Sequence, residues 1–253
     1  MKNVLITICG RAGSKGCKNK NLKDFLDKPL VYYTLAAAFD FKSRVENANV
    51  DICLNTDSVE LSEIVKRKYP EVVYIERNKD LGEDLVPKAA VWHNSYDVMC
   101  NQNGINYDLL IDLDITSPLR QKDDILNAYK LKLERPDADM VESVCQARRN
   151  PYFNMYKDEG KQFVSKVLKS NFTTRQEAPV IYDENASIYV LETRFFKNNT
   201  ENMLNTANTI IYEMKDTAVV DIDSEEDFEL MGVIAKYLYD KQPSFKYIKN
   251  LIR

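Results

Sequence analysis

With a single histidine in 253 residues, the sequence has little material for the commonest catalytic machinery. A histidine-rich zinc centre is excluded, and a Ser-His-Asp or Cys-His nucleophile system would rest on His93 alone. His93 falls in VPKAAVWHNSYDVM, an amphipathic helical pattern in which a surface or packed histidine needs no chemistry. The five cysteines, Cys9, Cys17, Cys53, Cys100 and Cys145, include no CxxC pair. Three lie in apolar or strand-like runs, which suits packed thiols in a reducing cytoplasm. No apolar run approaches the ~18 residues needed to span a bilayer. MKNVLITIC is cut short by Gly10 and Arg11, and it reads as a first strand rather than a signal peptide. Nor is there an excess of basic charge. The net charge of -4 argues against nucleic acid or an anionic membrane as partner, so any phosphate binding must be local. The expectation is a soluble, cytoplasmic protein.

What is present is a 44% hydrophobic chain, enough to bury a full core in one domain over residues 1–253. NVLITIC, VDICLNT, VVYIE, YDLLIDL and DMVESVC read as strands. Helical stretches begin near Pro29, Ser58, Pro87 and Gln121, the second with Asp57 as a natural N-cap. This alternation predicts an α/β fold, a Rossmann-like, mainly parallel sheet flanked by helices, with ligands beyond the carboxyl ends of the strands. From about 145 to 185 the pattern loosens into short alternating segments rich in aromatic and basic residues, an antiparallel excursion from the main sheet. NASIYVLE and TAVVDID then resume strand character, and SEEDFELMGVIAKYLYD closes the chain as a helix, with Ser224 and Asp227 spaced as its capping box.

The first strand runs into GRAGSKGCKNKN, which holds three of the seven glycines. Gly10, Gly13 and Gly16 let backbone N–H groups approach a phosphate, and Arg11, Ser14 and Lys15 add charged and hydroxyl donors. The spacing fits neither a Walker A loop nor GxGxxG. A flexible turn with solvated charges is the ordinary alternative. In VVDIDSEEDF, Asp221 and Asp223 project from one face of extended backbone and need a cation, as at a magnesium site, or else they merely flank a turn. A second pair, Asp112 and Asp114, precedes TSPLR. Thr116, Ser117 and Arg120 of that segment are candidate pocket donors, although Ser117-Pro118 also suits a turn.

GRAGSKGCKNKN, LDITSPLR, RQEAPVIYDENASIYV and DIDSEEDF occur in that order over nearly the whole chain. Together they resemble the acylneuraminate cytidylyltransferases, which make CMP-activated nonulosonic sugars. The resemblance implies one nucleotidyltransferase domain in which Arg11, Gly13, Ser14, Lys15 and Asn21 bind CTP, and Arg77 matches an arginine beside the nucleotide. Lys15 and Arg11 would act on the leaving pyrophosphate, with Mg2+ on Asp221 and Asp223. Arg175 and Gln176 align with the family's Arg-Gln pair at the sugar. Asn185 aligns with the asparagine of its Arg-Pro-Asn-Gly segment, which here reads Asp183-Glu184-Asn185-Ala186. Asp114 stands where the sialate-specific members more often carry glutamine. It could adjust sugar binding, ligate a second metal or cap its loop.

The implied reaction is attack by the anomeric hydroxyl of a 2-keto-3-deoxy sugar acid on the α-phosphorus of CTP, with sialic, legionaminic or pseudaminic acid as acceptor. Transfer to 3-deoxy-octulosonate and a non-catalytic nucleotide or sugar sensor are the alternatives. The 145–185 segment matches the family's dimerisation element, which implies a homodimer.

Overall fold

The computed structural model describes residues 1–13, 16–83, 86–160, 162–196, 203–217 and 222–252. Seven strands form the central sheet: β1 (Lys2–Gly10), β2 (Ala48–Thr56), β3 (Val73–Glu76), β4 (Leu109–Leu113), β5 (Met140–Gln146), β6 (Tyr182–Glu192) and β7 (Thr209–Glu213). Their order is β7-β5-β6-β4-β1-β2-β3. Every neighbouring pair is parallel except those made by β6, which runs antiparallel to β4 and β5. The carboxyl ends of the parallel strands therefore share one edge of the sheet.

Among the described residues, six helices of nine or more residues flank it: α1 (Leu30–Arg44), α2 (Val59–Lys68), α3 (Lys88–Asn103), α4 (Asp124–Glu134), α5 (Glu225–Lys241) and α6 (Pro243–Leu251). The alternation of β1 shows how two cores arise from one strand. Val4, Ile6 and Ile8 enter the core shared with Leu35, Ile125 and Ala235, while Leu5 enters the core on the other face with Trp92, Tyr96 and Tyr189. A polar row crosses the second face. Cys53, Thr7, Asp112, Tyr189 and Glu142 are successive register partners across five strands.

Several expectations are met closely, including the 145–185 excursion, which contains a small antiparallel ribbon of Tyr156–Lys157 with Ser165–Lys166. Three differ. Helix α2 is capped by Ser58, whose hydroxyl accepts the Leu61 N–H at 3.1 Å, while Asp57 turns away and accepts the N–H of Ala12 at 2.7 Å. The carboxyl-terminal helix breaks at Gln242, and Pro243 starts α6 at a position where the missing N–H costs nothing. Of TAVVDID, residues 218–221 lie outside the described residues, and Ile222 and Asp223 are not in a strand. The capping box of α5 forms between Ser224 and Asp227.

Candidate active site

The ends of β1, β2, β3 and β4 deliver Arg11, Asp57, Arg77 and Asp114 to the shared edge of the sheet. There a cleft of about 270 Å³ opens, with Arg11, Lys20, Asn21, Arg77, Lys88, Asp114 and Thr116 in its walls. An adjoining hollow of about 240 Å³ shares Arg11 and Asn21 and adds Gly13 and Ser58. Gly13 has φ +69°, a conformation that favours glycine. Ser14 and Lys15 lie outside the described residues.

Asn21 is nearly buried, and its amide donates to the Arg11 carbonyl at 3.1 Å, tying the two ends of the loop together. The Arg77 guanidinium is fixed from beneath. Its Nε donates to Asn55 Oδ1 and one terminal nitrogen to the Asn55 carbonyl, both at 2.8 Å. Among the described residues both hydrogen-bond acceptors of this buried cation are neutral, which suits an anionic ligand.

Lys88 was not foreseen. A lysine in the first turn of a helix opposes the helix dipole, and that misplaced charge was the signal available in the sequence. Its ammonium lies 3.0 Å from Asp112 Oδ2 and 3.0 Å from Asp114 Oδ2, above the Tyr189 ring at 4.6 Å. Asp114 Oδ1 accepts from the Thr116 N–H at 3.1 Å and its hydroxyl at 2.8 Å. Burial works against the Asp114 charge, but Lys88 and the Thr116 donors outweigh it and lower the carboxyl to about 2. Asp114 therefore caps its loop and stays ionised.

Arg120 is not a cleft donor. It is buried beneath the site, where it donates to Thr34 Oγ1 at 3.1 Å and to the backbone carbonyls of Asp114 and Ser187 at 2.8 and 2.7 Å. Burial lowers its pKa to about 10 despite Asp114, Asp124 and Asp112. The residue locks the Asp114 loop onto β6.

The carboxyl-terminal acidic segment reaches the same edge. Asp223 is largely exposed, its Oδ1 lies 3.7 Å from the Lys20 ammonium, and Lys20 also donates to the Ile222 carbonyl at 2.6 Å. Lys20 is a second residue that sequence reasoning passed over, one of several lysines in a basic loop. Asp227 accepts the N–H groups of Asp223 and Ser224, so the Asp223 carboxylate is spared capping duty. Asp221 lies outside the described residues.

Besides Arg120, four candidates lie in hollows other than the cleft. Ser117 and Asn185 line a separate small pocket of about 20 Å³ beside Cys145 and Met214. There Asn185 Oδ1 accepts the Ser143 hydroxyl at 2.6 Å, so its carbonyl serves the β6 irregularity. Arg175 and Gln176 line a surface hollow of about 440 Å³ with Gln146 and Asn150. The single histidine, His93, stacks on Phe196 and faces Asp97 at 3.6 Å, away from the cleft.

Residues 5–242 match the cytidylyltransferase family. The chain is 35% identical over 237 residues to the post-translational flagellin modification protein B of Campylobacter coli, covering 93% of this chain and 96% of that one. It is also 35% identical to the CMP-N,N'-diacetyllegionaminic acid synthase of Campylobacter jejuni, covering 91% and 94%. The pseudaminic acid cytidylyltransferase of the same species is 26% identical, covering 93% and 97%. The fold matches a CMP:2-keto-3-deoxy-manno-octonic acid synthetase complexed with CTP at a TM-score of 0.65 and 15% identity, covering 93% of this chain and all of that one. With its cleft at the carboxyl edge of a mainly parallel sheet and a family match spanning most of its length, the chain belongs to the cytidylyltransferases and is a nucleotidyltransferase.

Proposed function

We propose that the protein transfers CMP from CTP to the anomeric hydroxyl of a nonulosonic acid of the sialic, legionaminic or pseudaminic type, releasing pyrophosphate. The observation that carries this reading is the cleft in which Arg11, Lys20, Asn21 and Arg77 converge beside Asp114 and Thr116. The cations and amides suit a nucleoside triphosphate, and the carboxylate with its neighbouring hydroxyl suits a polyhydroxylated acceptor.

In the transfer, the acceptor oxygen forms a bond to the α-phosphorus as the bond to pyrophosphate breaks. Catalysis of this kind is positioning and charge neutralisation rather than covalent chemistry, which suits a site without histidine. Arg11, Lys15 and Lys20 neutralise the triphosphate. Arg77, rigid on Asn55, orients it. Asp114, held near 2 with Lys88 on one oxygen and Thr116 on the other, is a poor proton acceptor and a good fixed acceptor of hydrogen bonds.

Mg2+ is the cofactor of this proposal. An exposed carboxylate with no capping role, beside a lysine and the basic loop, suits a hard cation that keeps its waters and shares substrate phosphate oxygens. Asp223, with Asp221, would hold it, and it would supply charge neutralisation on the phosphates.

The acceptor and the assembly follow from further support. The 35% identity to a diacetyllegionaminic acid synthase, against 26% to a pseudaminic acid enzyme, favours legionaminic acid first. The octonic acid synthetase shares the fold at 15% identity, which carries no argument for its sugar. A homodimer is supported by eight exposed large apolar residues between 155 and 182, among them Tyr156, Phe163 and Val164. Among the described residues no helix is long and apolar enough to cross a membrane, in keeping with a cytoplasmic enzyme.

The reading is tested by pyrophosphate release from CTP and Mg2+ with a panel of sugar acids. CTP binding without release for any of them would favour the sensor.

A further inference from the structure

Lys88 is the first residue of α3, directly after Pro87, where a cation meets the positive end of the helix dipole. Two carboxylates compensate it. Its Nζ is 3.0 Å from Asp112 Oδ2 and 3.0 Å from Asp114 Oδ2, and its side chain is one-quarter exposed to the cleft. The remaining oxygen of each carboxylate is already used. Asp112 Oδ1 accepts the Thr7 hydroxyl at 2.8 Å in a fully buried setting, and Asp114 Oδ1 accepts both Thr116 donors. Each acid thus turns one oxygen towards a single point. Two carboxylates aimed this way are the usual holders of a divalent ion, and here an ammonium occupies the point.

The ammonium is further anchored. The Tyr189 and Trp92 rings lie 4.6 and 5.7 Å from it. Burial disfavours its charge, yet Asp112 and Asp114 hold its pKa well above the ordinary lysine value.

We propose that Lys88 is a positioning residue acting as a tethered cation: its ammonium draws the Asp112 and Asp114 carboxylates together around the place a second divalent ion would take, and so fixes Asp114 on the acceptor side of the cleft. Divalent metal is then confined to the Asp223 side. The kinetic consequence rests on the proposed cytidylyl transfer, whereas the metal count does not.

The test is a manganese titration followed by electron paramagnetic resonance, without nucleotide, on wild type, Lys88→Arg, Lys88→Met and Lys88→Met with Asp114→Asn. Lys88→Met is expected to take up one more Mn2+ than wild type, and the double variant and Lys88→Arg are expected to match wild type. In the pyrophosphate assay, Lys88→Met should lower kcat/KM for the acceptor by about 10–100-fold, with a smaller change in KM for CTP. Lys88→Gln, which keeps polar contacts at the site, provides the same comparison should Lys88→Met fail to fold. Equal manganese counts in wild type and the neutral variants overturn the proposal even where turnover is lost, as does an extra ion that survives Asp114→Asn. If wild type turns over no sugar, cytidylyl transfer fails while the metal count still decides the role of Lys88.

Discussion

A β-carbon placed on Gly16 would lie 1.9 Å from the carbonyl oxygen of Asp223. The amino-terminal loop and the acidic segment two hundred residues later are thus in backbone contact, and only glycine permits it. Two motifs that stand at opposite ends of the sequence meet beside Lys20, which lines the cleft.

Gly16→Ala must therefore push the loop off the acidic segment. The expected overpacking cost of about 1–3 kcal/mol corresponds to a Tm lowered by about 2–12 °C. Pyrophosphate release should fall with it, because Lys15 precedes this glycine. Thermal melts and turnover at wild-type values would show that the contact does not matter.

Arg120→Met removes one donor from each of the Asp114 and Ser187 carbonyls, which keep the Thr34 hydroxyl at 3.0 Å and the Asp114 N–H at 3.4 Å. Urea unfolding should report a loss of about 1–3 kcal/mol in all for the charge-assisted hydrogen bonds removed. The acceptor KM should rise only through the displaced Asp114. If Arg120 instead gripped the substrate, KM would rise and stability would hold.

Glu142 gives a pH prediction. Burial, then the neighbouring Glu184, raises its pKa to about 7 against the pull of Tyr189 and Lys88. The folded state therefore binds this proton more tightly than the unfolded chain does. The stability it contributes is full below the unfolded value near 4.5 and is lost as pH rises towards 7. Glu142→Gln should flatten this decline and leave the variant more stable than wild type above pH 7, by on the order of 2–3 kcal/mol. Parallel stability curves for the two proteins from pH 5 to 8 would contradict the assignment.

The exposed aromatic excursion predicts assembly. Phe163 is 78% and Val164 56% exposed, within a segment that clusters eight exposed large apolar residues, and such clusters mark interaction surfaces. Wild type should sediment as a dimer at micromolar concentration, and Phe163→Glu with Val164→Glu should shift it to monomer. A monomeric wild type would remove the dimer from the account.

Strands β1 to β5 were legible because each is a short apolar run between turn signals, and the loop after β1 was legible because glycines and lysines cluster there. Strand β7 was not: TIIYE alternates half-buried and exposed positions at the sheet edge, a weak pattern beside its polar flanks. Arg120 sits one residue after a turn, where sequence cannot distinguish a guanidinium facing a ligand from one buried under it. Nor can spacing show that Arg175 and Gln176 lie apart from the cleft, since that depends on where the excursion folds. Lys88 could have been flagged, because a helix that opens with a lysine and no acidic residue in its first turn works against its own dipole.

The most direct test of the central claim is pyrophosphate release from CTP and Mg2+, assayed with N-acetylneuraminate, legionaminate, pseudaminate and 3-deoxy-octulosonate, with Asp223→Ala as control. The account predicts release with a nonulosonic acid, legionaminate first, and its loss in Asp223→Ala. Release confined to 3-deoxy-octulosonate, or no release from a protein that binds CTP, would contradict it.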